Sequence, residues 1–193
     1  MSEALATRDV RLPGIDLRNL IWVALALLVL IVTITADNPW ALNFLHVMAG
    51  VMWTGIDLFM GFVVGPIIRR LPIEARHAIV VRLLPKTLFL MPTLAVITGT
   101  AGWYHARQLG FLALPWPQYG WVLAALVIVV ILTVQGIGVL LPTNLLAYLE
   151  MRKPAPNMPR IGRLMGRYVY ATAFQGALQV AIIVVMARFV TGL

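Results

Sequence analysis

Trp40–Ile68 reads WALNFLHVMAGVMWTGIDLFMGFVVGPII, an apolar run that carries one histidine and one aspartate and is closed by Arg69 and Arg70. Roughly 20 apolar residues in helical form cross a bilayer core, so this stretch is long enough to span one and to tilt or project from it. Four further runs of the same kind surround it, at about Leu20–Ala36, Leu83–His105, Tyr119–Leu149 and Met165–Val190. The expected architecture is an all-α polytopic membrane helix bundle with five transmembrane helices, a four-helix core plus an N-terminal helix, forming a single membrane domain over residues 1–193. Pro92 inside the third run predicts a local kink, and Pro142 a bend near the inner end of the fourth.

Composition agrees. Of 193 residues, 61% are apolar and 11% charged, whereas a soluble domain carries about a quarter charged residues. The net charge of +8 reflects the gathering of cations in cytoplasmic loops, and no nucleic-acid partner is implied. Thirteen of the fifteen Lys and Arg fall in the N-terminal tail (Arg8, Arg11, Arg18), between the second and third runs (Arg69, Arg70, Arg76, Arg82, Lys86) and between the fourth and fifth (Arg152, Lys153, Arg160, Arg163, Arg167). Only Arg107 and Arg188 lie on the other side. This places the N-terminus inside and the C-terminus outside.

The first run follows a basic tail, as a signal peptide would, but its apolar core is long and Ile34 sits where cleavage wants a small residue. It is read as an uncleaved helix. Residues 72–84 (PIEARHAIVVRLL) have helical apolar spacing with cations on the other face, the pattern of an interfacial helix. Cysteine is absent, which excludes thiolate metal sites, iron–sulfur clusters and cysteine nucleophiles. No phosphate-binding loop, dinucleotide fingerprint, zincin motif or internal repeat is present.

Ionisable groups inside a membrane are costly and therefore functional candidates. His46, Gly50, Trp53 and Asp57 fall at i, i+4, i+7 and i+11, on one helical face. His46 lies about 9 Å into its run, with Asp57 about 16 Å deeper. A histidine above a small residue offers a flat ligand such as haem both an axial nitrogen and room against the backbone. A packing histidine bonded to a neighbouring helix is the plainer alternative. Asp57 reads as a proton-path residue, as the partner of a buried cation, or as a group tied to Thr or Gln side chains across the bundle. His105 ends the third run on the same side as His46, either as the opposite haem ligand or as part of an interfacial belt with Trp103 and Tyr104. His77 belongs to the basic inner loop. Lys86 is a snorkelling anchor or a group for a haem propionate or a quinone. Tyr168, Thr172, Gln175 and Gln179 repeat the i, i+4, i+7, i+11 spacing and, with Gln135, suit interhelical hydrogen bonding or a cofactor cavity; Gly61 and Gly65 form a small-xxx-small pair for helix contact. Met48, Met52 and Met60 read more readily as packing than as copper ligands.

Leu45-His46-Val47-Met48-Ala49-Gly50-Val51-Met52-Trp53-Thr54-Gly55, continuing to Gly65-Pro66, resembles the opening helix of a group of bacterial membrane proteins. These are the CopD-type copper-resistance proteins, the HemJ-type protoporphyrinogen oxidases and the membrane domain of bacterial urate hydroxylases. Pro92-Thr93-Leu94-Ala95-Val96-Ile97-Thr98-Gly99 is similar to the Pro and Thr-Gly of the group's next helix. The resemblance covers about residues 40–103. It implies a four-helix core holding haem b, carries the group's histidine onto His46, and leaves the second axial position open, with His105 the best candidate here. The resulting expectation is a b-type cytochrome of the bacterial inner membrane that exchanges electrons with a quinone or an outer cytochrome, alone, as a homo-oligomer or within a larger complex. Two alternatives stand beside it: transport of copper or another metal through His46, Met48 and Met52 with Asp57 deeper in, and oxidation of a porphyrinogen.

Overall fold

The computed structural model describes residues 16–191, and all the regular secondary structure there is helical. The elements are α1 (Asn19–Thr35), α2 (Pro39–Phe59), a π-helical turn (Met60–Val64), α3 (Gly65–Arg70), α4 (Ile73–Gln108), a short 3-10 turn (Phe111–Ala113), α5 (Tyr119–Gln135), a second π-helical turn (Gly136–Leu140), α6 (Leu141–Met151) and α7 (Met158–Val190). Two starts follow directly from sequence. Asn38 caps α2 by accepting from the Ala41 amide with Pro39 next in line, and Asn157 does the same for α7 from the Arg160 amide, the usual use of a short polar side chain and an early proline.

Four helical stretches are long and apolar enough to cross a membrane: Pro39–Arg70, Ala78–Gln108, Tyr119–Met151 and Met158–Val190. α1 is apolar but has 17 residues, about 26 Å of helix. Large apolar side chains such as Phe62, Val134 and Val184 are exposed along the outer faces, the surface that lipid covers in a membrane protein. Arg8 and Arg11 lie outside the described residues, as does the side chain of His77.

α2 packs along α4 with α1 laid against both. Leu30, Leu42, Ala49, Leu94, Ile97 and Ala101 fill that junction. A second core of Val81, Leu84, Ala147, Tyr148, Met151 and Ile161 joins α4, α6 and α7 at the opposite end. There Glu150, nearly buried, accepts from Lys153 at 2.7 Å and Arg160 at 3.2 Å, and so ties the α6–α7 turn.

The structure departs from the sequence reading in three places. The helix expected over 72–84 is continuous with the third span, forming one 36-residue helix that passes through Pro85 and Pro92 unbroken. Both π turns directly precede an x-Pro pair, Gly65-Pro66 and Leu141-Pro142. A proline lacks the amide that an α-helical ladder needs and crowds the carbonyl four residues back; one extra residue in the turn relieves both. Finally, Gly61 and Gly65 do not mediate helix contact. A Cβ on Gly61 would meet nothing within 4 Å, while one on Gly65 would lie 2.9 Å from the Met60 carbonyl, the acceptor of the Gly65 amide in the π turn.

Candidate functional site

His46 sits on the α4 side of α2, half-buried. Its Nδ1 lies 2.8 Å from the Thr98 carbonyl oxygen. A carbonyl only accepts, so Nδ1 carries the proton and donates. In the neutral imidazole this leaves the Nε2 lone pair free, the arrangement that orients metal-ligating histidines through their second nitrogen. The ring can reach Thr98 because the neighbouring position is Gly102. A Cβ there would stand 2.6 Å from both Cε1 and Nδ1 of His46, inside any tolerable contact. Gly102 is thus the socket of the ring, and no other residue fits it in this packing.

His105 lies on α4 one turn beyond Gly102, on the same side of the helix. It is half-buried and within electrostatic range of His46. Its Nδ1 is buried without a hydrogen-bond partner among the described residues. Beside it, Tyr104, Arg107 and Gln108 line a cavity of about 360 Å³ with Ile34 and Asp37.

The other expected members of the site divide between two places. Gly50 faces α4, where a Cβ would meet the Thr98 methyl at 3.3 Å. Its smallness lets the helices approach, and the room expected above it for a flat ligand is taken by Thr98. Trp53 joins the apolar junction of α1, α2 and α4. Lys86 is exposed on α4, twelve residues from Thr98 and so about 18 Å along the axis. It lines a hollow with Ala78, Ile79, Arg82 and Leu83 and is not brought to His46. Met48 and Met52 are exposed on the outer surface of α2, while His46 turns inward. The structure therefore does not assemble the three as one metal site, and no group of three His, Asp or Glu able to hold a metal is found among the described residues.

Asp57 is buried against α7. Its Oδ2 accepts from Nε2 of Gln175 at 2.5 Å and of Gln179 at 2.9 Å, so the reading that tied it to glutamines across the bundle is the one the geometry shows. Gln135 donates to the Ala171 carbonyl, one turn before Gln175. Gln175 and Gln179 were legible as intramembrane amides one turn apart. What sequence did not supply was their common partner, and the same holds for Gly102 and His46, 56 residues apart in the chain.

No family model, curated protein or solved structure matches this chain.

Proposed function

We propose that the protein is a b-type haem protein of the bacterial inner membrane, in which His46 would hold the iron through Nε2. One observation carries this reading: the intramembrane imidazole is held by an Nδ1 bond to a backbone carbonyl and seated on a glycine, with no hydrogen bond to its second nitrogen among the described residues. A histidine kept only for packing gains nothing from leaving a polar nitrogen unused in an apolar bundle. His105, with a buried unpartnered nitrogen near His46, is the second ligand of this reading, and Arg107 is the cation at that end of the bundle suited to a propionate. The likeness of residues 45–66 and 92–99 to the CopD-, HemJ- and urate-hydroxylase-type membrane proteins supports the same assignment.

Bound there, haem supplies one-electron redox chemistry. The chain's own contribution is the Thr98 carbonyl that fixes the His46 tautomer and the Gly102 socket that fixes its rotation. Two imidazole ligands suit electron transfer with a membrane quinone or an outer cytochrome better than oxygen binding. The proposal includes five spans with the N-terminus inside, α1 being at the short end of what crosses a bilayer.

Haem quantified as the pyridine haemochrome tests it. The purified protein should hold one haem per chain and His46→Ala none. A full complement in His46→Ala, with normal expression, removes His46 as the ligand.

A further inference from the structure

We propose that Arg82 and Lys86 on α4 form the binding site of one anionic phospholipid, whose phosphate is held between the two cations. The site is independent of the haem reading, since Lys86 lies twelve residues and about 18 Å along α4 from the Thr98 carbonyl that holds His46.

The first argument is depth. Trp103 and Tyr104 sit on α4 where an aromatic belt marks one membrane interface. About 20 residues of helix cross the bilayer core, which puts the opposite interface near Leu83 and Leu84. Arg82 and Lys86 straddle that boundary, one turn apart on the same face of the helix, and both are exposed. Headgroup phosphates lie at this level, so the ligand comes from the membrane and not from the water beyond it.

The second argument is a shaped surface with unspent charge. The two side chains line an open hollow of about 380 Å³ together with Ala78, Ile79 and Leu83, so that a pair of cations borders an apolar floor. Neither cation has an acidic partner, because both ion pairs among the described residues belong to Glu150. Arg82 donates Nη1 to the Ala78 carbonyl at 2.6 Å. That bond fixes the guanidinium beside the hollow and leaves the rest of its donor fork for a ligand. Arg76, further along the same helix, instead spends Nη2 on the Arg69 and Leu71 carbonyls and braces the α3–α4 turn. A planar fork beside a compact ammonium is suited to phosphate oxygens. A lipid with a net negative charge gains from both cations, whereas a zwitterionic one brings a positive group of its own. An acidic protein segment would have to carry its carboxylate out of water to the edge of the hydrocarbon; the phosphate of a lipid is already there.

The test reconstitutes the full-length protein into vesicles of equal parts phosphatidylcholine and phosphatidylglycerol, extracts it in mild detergent and counts the lipid retained per chain by mass spectrometry. Haem content is measured on the same samples. A cation near an anionic headgroup contributes about fivefold in affinity, so the pair should enrich phosphatidylglycerol about 25-fold over phosphatidylcholine, at one lipid per chain. Arg82→Gln with Lys86→Gln should abolish the enrichment, and Lys86→Gln alone, which serves if the double variant does not fold, should lower it about fivefold. Arg163→Gln with Arg167→Gln removes the same charge at the same spacing from exposed positions on α7 and should leave the enrichment intact. Equal retention of the two lipids overturns the proposal. So does an equal loss in the α7 variant, which would show a general surface charge in place of a site, or displacement of the lipid by inorganic phosphate, which would make a free anion the ligand. Unchanged haem content separates each of these results from a failure at His46.

Discussion

At the scale of single residues, Gly102 and His46 behave as one unit. Adding a methyl group at Gly102 forces the imidazole off the Thr98 carbonyl, because 2.6 Å leaves no room for small adjustments. Gly102→Ala should therefore weaken haem affinity by about tenfold or more, the usual effect of disturbing a ligand's outer hydrogen bond, although every ligand atom is still present. Haem titration into the apo-protein checks this, and unchanged affinity would show that the socket is incidental. Gly50→Ala is the control. Its Cβ meets a methyl at 3.3 Å, so it should lower stability through tighter helix packing while His46 keeps its bond to Thr98. His46 and Asp57 were legible in the sequence because an ionisable side chain inside an apolar run is conspicuous. Gly102 was not, since a glycine near a helix end signals nothing until the ring that occupies it is placed by another helix.

At the scale of elements, the proline-associated π turns explain residues that sequence spacing misassigned. Gly61 and Gly65 have the four-residue interval of a helix-contact pair, yet that interval does not reveal that Pro66 forces an extra residue into the turn. In the structure Gly65 is required by its own helix and Gly61 by nothing nearby. Gly65→Ala should destabilise by about 1–3 kcal/mol, as overpacking does. Gly61→Ala should be neutral or slightly stabilising, since alanine is the better helix former. Paired thermal unfolding curves decide this, and equal losses would return both glycines to an interhelical role. The joining of 72–84 to the third span has a related cause. A change from mixed to apolar composition marks where a helix meets the membrane, but it does not break the backbone ladder, which continues from Ile73 to Gln108.

At the scale of the whole molecule, the all-α character and four of the long apolar helices followed directly from hydropathy; α2 starts within one residue of the expected Trp40, whereas α7 starts at Met158, seven residues before the expected Met165, where Asn157 caps it. The pairing of α2 with α4 and α7 did not, because apolar faces of membrane helices resemble one another until polar residues choose partners. The proposed orientation gives a direct prediction, aided by a chain without cysteine. In intact cells an impermeant thiol reagent should label Ala113→Cys, which is exposed between α4 and α5, and spare Ala155→Cys, exposed between α6 and α7. The reverse pattern would invert the bundle and place His46 at the inner face. The central claim, that this bundle holds haem, is tested most directly by the dithionite-reduced minus oxidised absorption spectrum of the protein purified from cells supplied with haem precursor. The account predicts the sharp α-band of a low-spin b-type haem at one per chain; a protein folded, pure and without any haem band would contradict it.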